Sequence, residues 1–399
     1  MTTTPDARRR FAVLQMGARM NYAVPALLSR AGMLDALYTD IHAGDWPVRL
    51  LSRLAPAGRL PRTLRRLLGR RVPAEVPPER VFSVPLRALL RYYTAGYRDP
   101  GADRRLLHSG FGTANALYAL SHGHLEVIQA AKQSGLFVAF EQVIDADHLD
   151  ILREERERFP GIEPQATASE EAEYLRAHRL IWHTADITLA PSDSVTRGIV
   201  HLGGPPERIR FVPYGIPEAL LESSPAPVPG RVLFVGQVGL RKGLPYLAEA
   251  ARILQSRRVR CEVRVVGPIP AAILPRPEFA GPSYVGSVPR AEIHREFAAA
   301  DLFVLPTLVE GSATAHLEAL AYGIPVITTP NCGAVSRDGL EGLIVPIRDA
   351  SALAGAIERL LADRALRERM SRQARERARQ FTWERYQERL LAVLSGPDR

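Results

Sequence analysis

Two glutamates, Glu310 and Glu318, are separated by seven residues and flank a turn that leads into a helix. Residues 311–314 would stand at the helix N-terminus, where free N–H groups favour a phosphate or another oxyanion. Carboxylates beside such a helix end suit hydrogen bonds from the hydroxyls of a sugar or a ribose. The alternative is a capped surface helix with two solvated glutamates, and spacing alone favours neither.

A second group with chemical potential is Arg241-Lys242-Gly243, which directly precedes a predicted helix over 244–255. The Arg fork can grip two phosphate oxygens and Lys adds a point charge, so the pair suits a diphosphate. Lys242 is informative because Lys132 is the chain's one other lysine; arginine supplies the remaining cations. The alternative is a solvated basic turn.

The elements around these two groups follow a βαβ order. Residues 301–305 form a short apolar run suited to a buried strand, 313–322 a helix, and 325–329 the next strand. Residues 232–236 form another apolar strand, directly before the Arg-Lys loop. The order predicts a parallel sheet whose loops meet at the carboxyl ends of its strands, where ligands bind in open α/β sheets.

The N-terminal part shows similar transitions from strand to polar loop. Residues 11–16 read as the first strand and lead to Gly17 and Arg19, and 137–140 read as a buried strand. Between them, a glycine-rich turn at 108–113 precedes a stretch that reads as helical as far as Gln133. The strand at 137–140 delivers four polar residues to a predicted crevice: Glu141, Asp145, Asp147 and His148. The alternative for the aspartates is capping of a helix over 149–159.

Composition bounds the class of protein. The 399 residues are enough for two domains, and 46% hydrophobic with 24% charged residues indicates a globular chain of net charge +9. Cys261 and Cys332 suit buried apolar positions and imply neither a metal cluster nor a disulfide framework. No signal peptide or membrane-spanning run is evident, so we expect a cytoplasmic protein. We expect no nucleic acid among its partners.

The stretch from Trp46 to Arg71 alternates arginines with leucines, and no acidic residue follows Asp45 within it. A basic amphipathic helix of this kind can lie on an anionic membrane, which would place the protein at the inner membrane face. The alternative is an ordinary helix with a solvated arginine face.

The segment from Glu310 to Leu320, followed by Gly323-Ile324-Pro325-Val326-Ile327, resembles the E-x7-E signature of retaining glycosyltransferase family 4 (glycosyltransferase group 1). Arg241-Lys242-Gly243 resembles the diphosphate element of the same family. The family usually has phenylalanine where this chain has Ser312. The resemblance is specific over 232–345 and weak before about residue 137, where acceptors vary.

The resemblance implies an α/β protein of the GT-B fold, with two doubly wound Rossmann-like parallel-sheet domains facing a central cleft. It implies an N-terminal acceptor-binding domain at 1–217, a linker at 218–230, a nucleotide-sugar-binding domain at 231–380, and a C-terminal helix at 381–399 that returns to the first domain. The implied activity is metal-independent transfer of a sugar, with retention, from a UDP-, GDP- or TDP-sugar to a hydroxyl of a small-molecule, glycan or lipid-linked acceptor.

The resemblance also assigns residues. Arg241 and Lys242, with the helix end at 312–314, would stabilise the leaving diphosphate; Glu310 would hold the donor sugar and Glu318 the ribose. The predicted catalytic residues are Arg241, Lys242, Glu310 and Glu141. The predicted donor-binding residues are Gly17, Gly236, Gly267, Val285, Gly311, Ser312, Ala313, Thr314 and Glu318, and no metal ligands are predicted. Arg19 is a further candidate beside Gly17.

Other classes compete with this interpretation. A sugar-nucleotide epimerase or a phosphorylase of the same fold is one, although neither needs this combination of E-x7-E with Arg-Lys-Gly. Product analysis without an acceptor distinguishes an epimerase. A non-catalytic, membrane-associated protein of the same fold is the other, and activity on any nucleotide sugar excludes it.

Overall fold

The computed structural model describes residues 9–46, 48–50, 69–85, 101–120 and 124–396. The strands within these ranges form two sheets, and every pairing between them is parallel. Parallel strands need crossovers, which helices supply in both sheets. The two-sheet α/β architecture predicted from the sequence is therefore confirmed.

Within the described ranges the first sheet has the order β3-β2-β1-β4-β5-β6-β7. Its strands are β1 Phe11–Leu14, β2 Leu34–Thr39, β3 Val81–Ser83, β4 Ala116–Leu120, β5 Phe137–Glu141, β6 Ile187–Ala190 and β7 Ile209–Phe211. Its helices are α1 Ala23–Arg30, α2 Gly101–Ser109, α3 Leu125–Gln133, α4 Leu149–Arg158, α5 Ala168–Thr184 and α6 Asp193–His201. These elements are called the first half below.

The described strands of the second sheet run in the order β10-β9-β8-β11-β12-β13. They are β8 Arg231–Val235, β9 Glu262–Val266, β10 Ser283–Gly286, β11 Leu302–Leu305, β12 Val326–Thr328 and β13 Gly342–Ile344. The helices are α7 Leu244–Ser256, α8 Arg290–Ala298, α9 Thr314–Ala321, α10 Ala350–Ala362 and α11 Arg364–Ala378. This second half has β8 and β11 at its centre, where the strand order reverses and a crevice opens.

One expectation was wrong. The stretch after the glycine-rich turn reads as helical throughout, but Ala116–Leu120 is the central strand β4, between β1 and β5. All five residues are buried. A strand covered on both faces by helices is a short, continuous apolar run, which lacks the alternation that identifies an exposed strand.

The last helix, α12 (Trp383–Leu394), packs against the first half although it follows the second. The chain crosses between the halves twice, and the two crossings pair at Ile216 and Thr382 as a parallel bridge. The Trp383 N–H donates to the Ile216 carbonyl at 2.9 Å, and the Ile216 N–H donates to the Phe381 carbonyl at 2.9 Å. Further along α12, Arg389 donates to the Pro213 carbonyl.

The arginine-rich stretch at 46–71 lies mostly outside the described residues, so its contact with a membrane stays a prediction. In the part of the chain that the structure does describe, no helix combines the length and apolar character needed to cross a bilayer. Cys332 is buried and Cys261 half-buried, and both are free thiols.

Candidate active site

The loop that carries Arg241 and Lys242 leaves the end of β8 and is held against the loop that follows β11. The Leu308 N–H donates to the Arg241 carbonyl at 2.9 Å. Gly243 has the left-handed φ of 67°, and a Cβ there would lie 1.9 Å from the Pro306 carbonyl oxygen. Glycine is therefore required at this close approach, which fixes the two cations beside the neighbouring strand end.

Glu310 follows β11 and meets both cations through one carboxylate oxygen. Its Oε2 accepts from Arg241 Nη1 at 2.8 Å and from Lys242 Nζ. Arg241 Nη1 also donates to the Val309 carbonyl at 3.0 Å. Two strands adjacent at the sheet centre thus bring together residues 69 positions apart.

Arg241, Lys242 and Glu310 are called the ion-paired group below. Within it, the neighbouring charges affect the pKa of Glu310 more than burial does. Burial alone would raise the pKa of Glu310, but the charges of Lys242 and Arg241 outweigh it and lower the pKa to about 2. Glu310 is therefore ionised near neutral pH. Two cations and one carboxylate leave a net positive group, which suits an anionic ligand.

Glu318 lies on α9, and its side chain is 16% exposed. Arg290 Nη2 approaches its Oε1 at 3.5 Å, which is long for a hydrogen bond. Burial raises the pKa of Glu318, and the charge of Arg290 opposes that shift. Apart from this ion pair, the carboxylate has no partner among the described contacts and can accept hydroxyl donors.

Residues 311–314 follow Glu310 and lead into α9, which carries Glu318. Ser312 is buried, and α9 begins at Thr314 with Ala313 at its N-cap, where no side chain accepts a hydrogen bond from the first turn. A Cβ on Gly311 would lie 1.7 Å from the Val143 carbonyl oxygen, which belongs to the loop after β5. The carboxyl ends of the two sheets therefore face each other at this point.

Three further predicted donor contacts lie along the edge of the second sheet. Gly236 and Gly267 follow β8 and β9, and a Cβ on Gly267 would lie 1.9 Å from the Gly236 carbonyl oxygen. A Cβ on Gly236 would lie 3.8 Å from Lys242 Cε, so the backbone passes close to the cations. Val285 lies in β10, at the far edge of this sheet, and is half-buried.

Glu141, at the end of β5, lies apart from the ion-paired group and is buried. Its two oxygens accept the hydroxyls of Tyr118 at 2.5 Å and Tyr214 at 2.6 Å. Burial raises the pKa of Tyr214 well above its ordinary value, so this hydroxyl keeps its proton. Because Glu141 is 2% exposed, a substrate hydroxyl could reach its carboxylate only if neighbouring side chains moved.

Arg19 extends this network toward the cleft by donating to the Tyr214 hydroxyl at 2.9 Å. Burial alone would lower the Arg19 pKa, but Tyr214 and the charge of Glu141 raise it. The charge of Glu310 raises the Arg19 pKa further, so Arg19 lies within electrostatic reach of the opposite half. Tyr118 and Tyr214 were not predicted from the sequence, because their partner Glu141 lies 23 and 73 residues away in the chain.

The loop that carries Arg19 is strained. Gly17 has φ of 69°, and its N–H donates to Asp40 at 2.9 Å. Met20, Asn21 and Tyr22 all have positive φ, between 48° and 59°. Non-glycine residues in this region cost on the order of 1 to 3 kcal/mol each and persist where the surroundings impose them, often at functional sites.

The remaining predicted acceptor residues lie beside α6 rather than against the ion-paired group. Asp145 accepts from the Asp147 N–H at 3.0 Å, and burial raises its pKa to about 6. A Cβ on Gly198 of α6 would lie 1.9 Å from Asp145 Oδ1. Asp147 pairs with His201 at 3.1 Å, and His148 bonds the Asp145 carbonyl. No side chain caps α4 at its N-cap, His148.

Residues 229–363 match the family model described as Glycosyl transferases group 1. This segment is a glycosyl transferases group 1 domain. Arg241, Lys242, Glu310 and Glu318 all lie inside the group 1 domain, whereas Glu141 and Arg19 lie outside it.

The chain is also similar to curated glycosyltransferases. Over 289 residues the chain is 29% identical to the amylovoran biosynthesis glycosyltransferase AmsK of Erwinia amylovora, covering 69% of this chain and 65% of AmsK. It is 32% identical over 171 residues to the D-inositol 3-phosphate glycosyltransferase of Paenarthrobacter aurescens, covering 39% of this chain and 41% of that protein. The chain thus spans less than two thirds of each of these curated relatives.

Solved structures extend the likeness in fold beyond the group 1 domain to both halves. Anabaena HepE in complex with UDP and glucose superposes with a TM-score of 0.66 at 15% identity, over 97% of this chain and 99% of that one. WaaG, a glycosyltransferase involved in lipopolysaccharide biosynthesis, gives 0.63 at 17% identity over 97% and 100%. The chain has the GT-B fold of these glycosyltransferases.

Proposed function

We propose that this protein is a retaining glycosyltransferase that moves a sugar from a nucleotide diphosphate sugar to an acceptor hydroxyl. One observation carries the proposal: Arg241, Lys242 and Glu310 meet at the centre of the second sheet, where they face the first half. The group 1 domain supports the reaction class, and the net positive charge of the group supports an anionic donor.

The proposed chemistry follows from charge. Breaking the bond between the anomeric carbon and the diphosphate oxygen leaves negative charge on the diphosphate, which Arg241, Lys242 and the N–H groups opening α9 stabilise. The acceptor oxygen bonds to the anomeric carbon on the same face, and its proton passes to the departing phosphate oxygen. The two cations supply the stabilising charge, so we propose a metal-independent reaction that requires no cofactor.

We assign Glu310 to the donor sugar and Glu318 to the ribose. Glu141 has both oxygens bound to tyrosines, so we assign it to orienting Arg19 through Tyr214 rather than to contacting a substrate. Arg19 and Gly17 then face the reacting groups from the first half, which we propose as the acceptor-binding domain (1–217). We further propose 218–230 as linker and 231–380 as the nucleotide-sugar-binding domain.

The donor nucleotide is proposed to be UDP, because HepE binds UDP and glucose in the same fold. A thermal-shift screen against UDP, GDP, TDP and ADP tests the choice, since a ligand of the folded state raises Tm by mass action. Transfer is then assayed with the matching nucleotide sugars. Absence of any shift and of any turnover would refute the proposed function.

The acceptor is proposed to be a glycan, a lipid-linked glycan or a polar small molecule. Of the relatives named above, one is an amylovoran biosynthesis glycosyltransferase and the other a D-inositol 3-phosphate glycosyltransferase. Such acceptors would fit a cytoplasmic protein with peripheral contact at the inner membrane face. Sedimentation with anionic vesicles at low salt tests that contact; protein that stays in the supernatant refutes it.

Glu318→Ala is expected to weaken binding of the free nucleoside diphosphate. Loss of a hydrogen bond from the ribose to a carboxylate costs about 1 to 3 kcal/mol, which is roughly a 5- to 150-fold rise in Kd. Isothermal calorimetry measures it directly. Glu292→Ala, an exposed glutamate on α8, is the control, and equal affinity of wild type and Glu318→Ala would remove Glu318 from the nucleotide site.

A further inference from the structure

Helix α4 belongs to the first half by sequence but is bound to the second half. Glu155 on α4 is fully buried, and its carboxylate accepts the Tyr246 hydroxyl at 2.8 and 3.0 Å. Arg348 Nε donates to the same carboxylate at 2.7 Å. A buried charge is tolerated only when it is paired and hydrogen-bonded, and both hydrogen-bond partners of Glu155 come from the other half.

The contact continues on the N-terminal side of Glu155. Arg348 also binds Glu154 at 2.6 Å and the Ile151 carbonyl at 3.2 Å. Arg348 has the left-handed φ of 64°, a strained conformation that these bonds hold in place. Since three groups of α4 converge on one guanidinium, the helix is fixed in position on the second half.

The segment after α4 extends the same interface toward the proposed diphosphate site. Phe159 packs edge-on against Tyr246 and lies 6.2 Å from the ring of Phe279. Arg276 donates to the Pro160 carbonyl at 2.7 Å. The chain between Ile151 and Pro160 is therefore held against the second half along its length, and Glu163 follows shortly after it.

Glu163 contacts the loop that carries the two cations. Its Oε1 accepts the Leu240 N–H at 2.9 Å, directly before Arg241 and Lys242. A Cβ on Gly239 would lie 2.7 Å from the same oxygen, so glycine lets the carboxylate approach. The backbone N–H that opens the Arg-Lys loop thus finds its acceptor in the first half of the molecule.

We infer that Glu163 is a positioning residue for the diphosphate-binding loop, and that through it donor binding is coupled to docking of the two halves. The inference rests on the proposed function. A charge-assisted bond to the Leu240 N–H fixes the turn that aims Arg241 and Lys242. Because coupling between sites is reciprocal, a diphosphate held by these cations stabilises the docked arrangement of α4 in return.

Three variants test the inference. Glu163→Ala removes the acceptor, Glu163→Gln keeps an oxygen that can accept the same N–H, and Gly239→Ala displaces the carboxylate from the opposite side. Glu157→Ala, an exposed glutamate on α4, is the control. Circular dichroism melts show which variants fold. If Glu163→Ala does not fold, Gly239→Ala still tests the inference.

Calorimetry with UDP, and with GDP, TDP and ADP in parallel, gives the readout. Glu163→Ala and Gly239→Ala are expected to raise the Kd of the nucleotide about tenfold, with Glu163→Gln within about threefold of wild type. The KM for the donor should rise with it while the KM for the acceptor stays unchanged. Hydrogen exchange at residues 237–243 should quicken in the two weakened variants.

The outcomes separate the two proposals. If wild type binds none of the nucleotides, the proposed function fails. If wild type binds one of them and the Glu163→Ala and Gly239→Ala variants bind it equally well, Glu163 does not position the loop and the inference is overturned. If Glu163→Gln is as weak as Glu163→Ala, the bond to Leu240 is not the cause and the inference is likewise overturned.

Discussion

Replacing Lys242 with alanine is expected to lower the rate of sugar transfer by about a hundredfold or more. Removing one preorganised charge at a developing oxyanion typically has an effect of this size, because the group needs no reorganisation in the transition state. Lys242 is fixed by Glu310 and by the left-handed Gly243 that follows it. Arg241→Ala should behave similarly. Steady-state transfer kinetics with saturating donor measure the loss.

The chain offers a matched control for the lysine variant. Lys132 on α3 is also ion-paired, with Asp186 at 2.8 Å, but lies in the first half away from the Arg-Lys loop. Lys132→Ala removes the same charge and a comparable pair and should leave transfer unchanged. Unchanged rates in Lys242→Ala and Arg241→Ala together would show that these cations do not act on the leaving group.

Glu310→Gln is expected to move binding and turnover in opposite directions. In the structure, one oxygen of Glu310 pairs with both cations that a diphosphate would need and offsets part of their charge. The Glu310 carboxylate and a diphosphate are both negative and compete for Arg241 and Lys242. Removing the carboxylate charge should therefore let free UDP bind about threefold tighter or more. Transfer should still fall by about a hundredfold, since a neutral amide oxygen accepts the sugar hydroxyls more weakly than a charged carboxylate does.

Calorimetry with UDP and transfer kinetics on the same preparation check this pair of effects. Glu296→Gln is the control, because Glu296, on α8, forms a comparable pair with Arg264 of β9. The Glu310 pKa of about 2 keeps the wild-type carboxylate ionised at any assay pH near neutrality, so the contrast holds across that range. Weaker UDP binding in Glu310→Gln would mean that the carboxylate supports the diphosphate site instead of competing for it.

The parts of the protein that local sequence determines were predictable. Glu310, Arg241 and Lys242 could be brought to one crevice because β8 and β11 are adjacent at the point where the order of a parallel sheet reverses. Glycines and prolines marked the element ends around them, and the E-x7-E resemblance supplied the chemistry.

What failed depends on contacts between distant residues. Ala116–Leu120 is a strand because β1 and β5 cover its edges, and nothing in its own residues shows that. The tyrosines around Glu141 are 23 and 73 residues away from it, and Glu163 meets Leu240 across 77 residues. A polar residue after a strand can therefore be placed at a crevice, while its partners cannot be named from one sequence.

The path of α12 bears on how such proteins can be recombined. The helix is the last segment of the chain, yet it packs on the first half and closes the pair of crossings at Ile216 and Thr382. A chimera that takes its first half from a relative therefore needs two junctions, one near 217 and one near 381. With a single junction, the grafted first half would pack against the α12 of the original chain. Tyr386 and Leu390 of that helix would then face the relative's residues at the positions of Tyr214 and Val212.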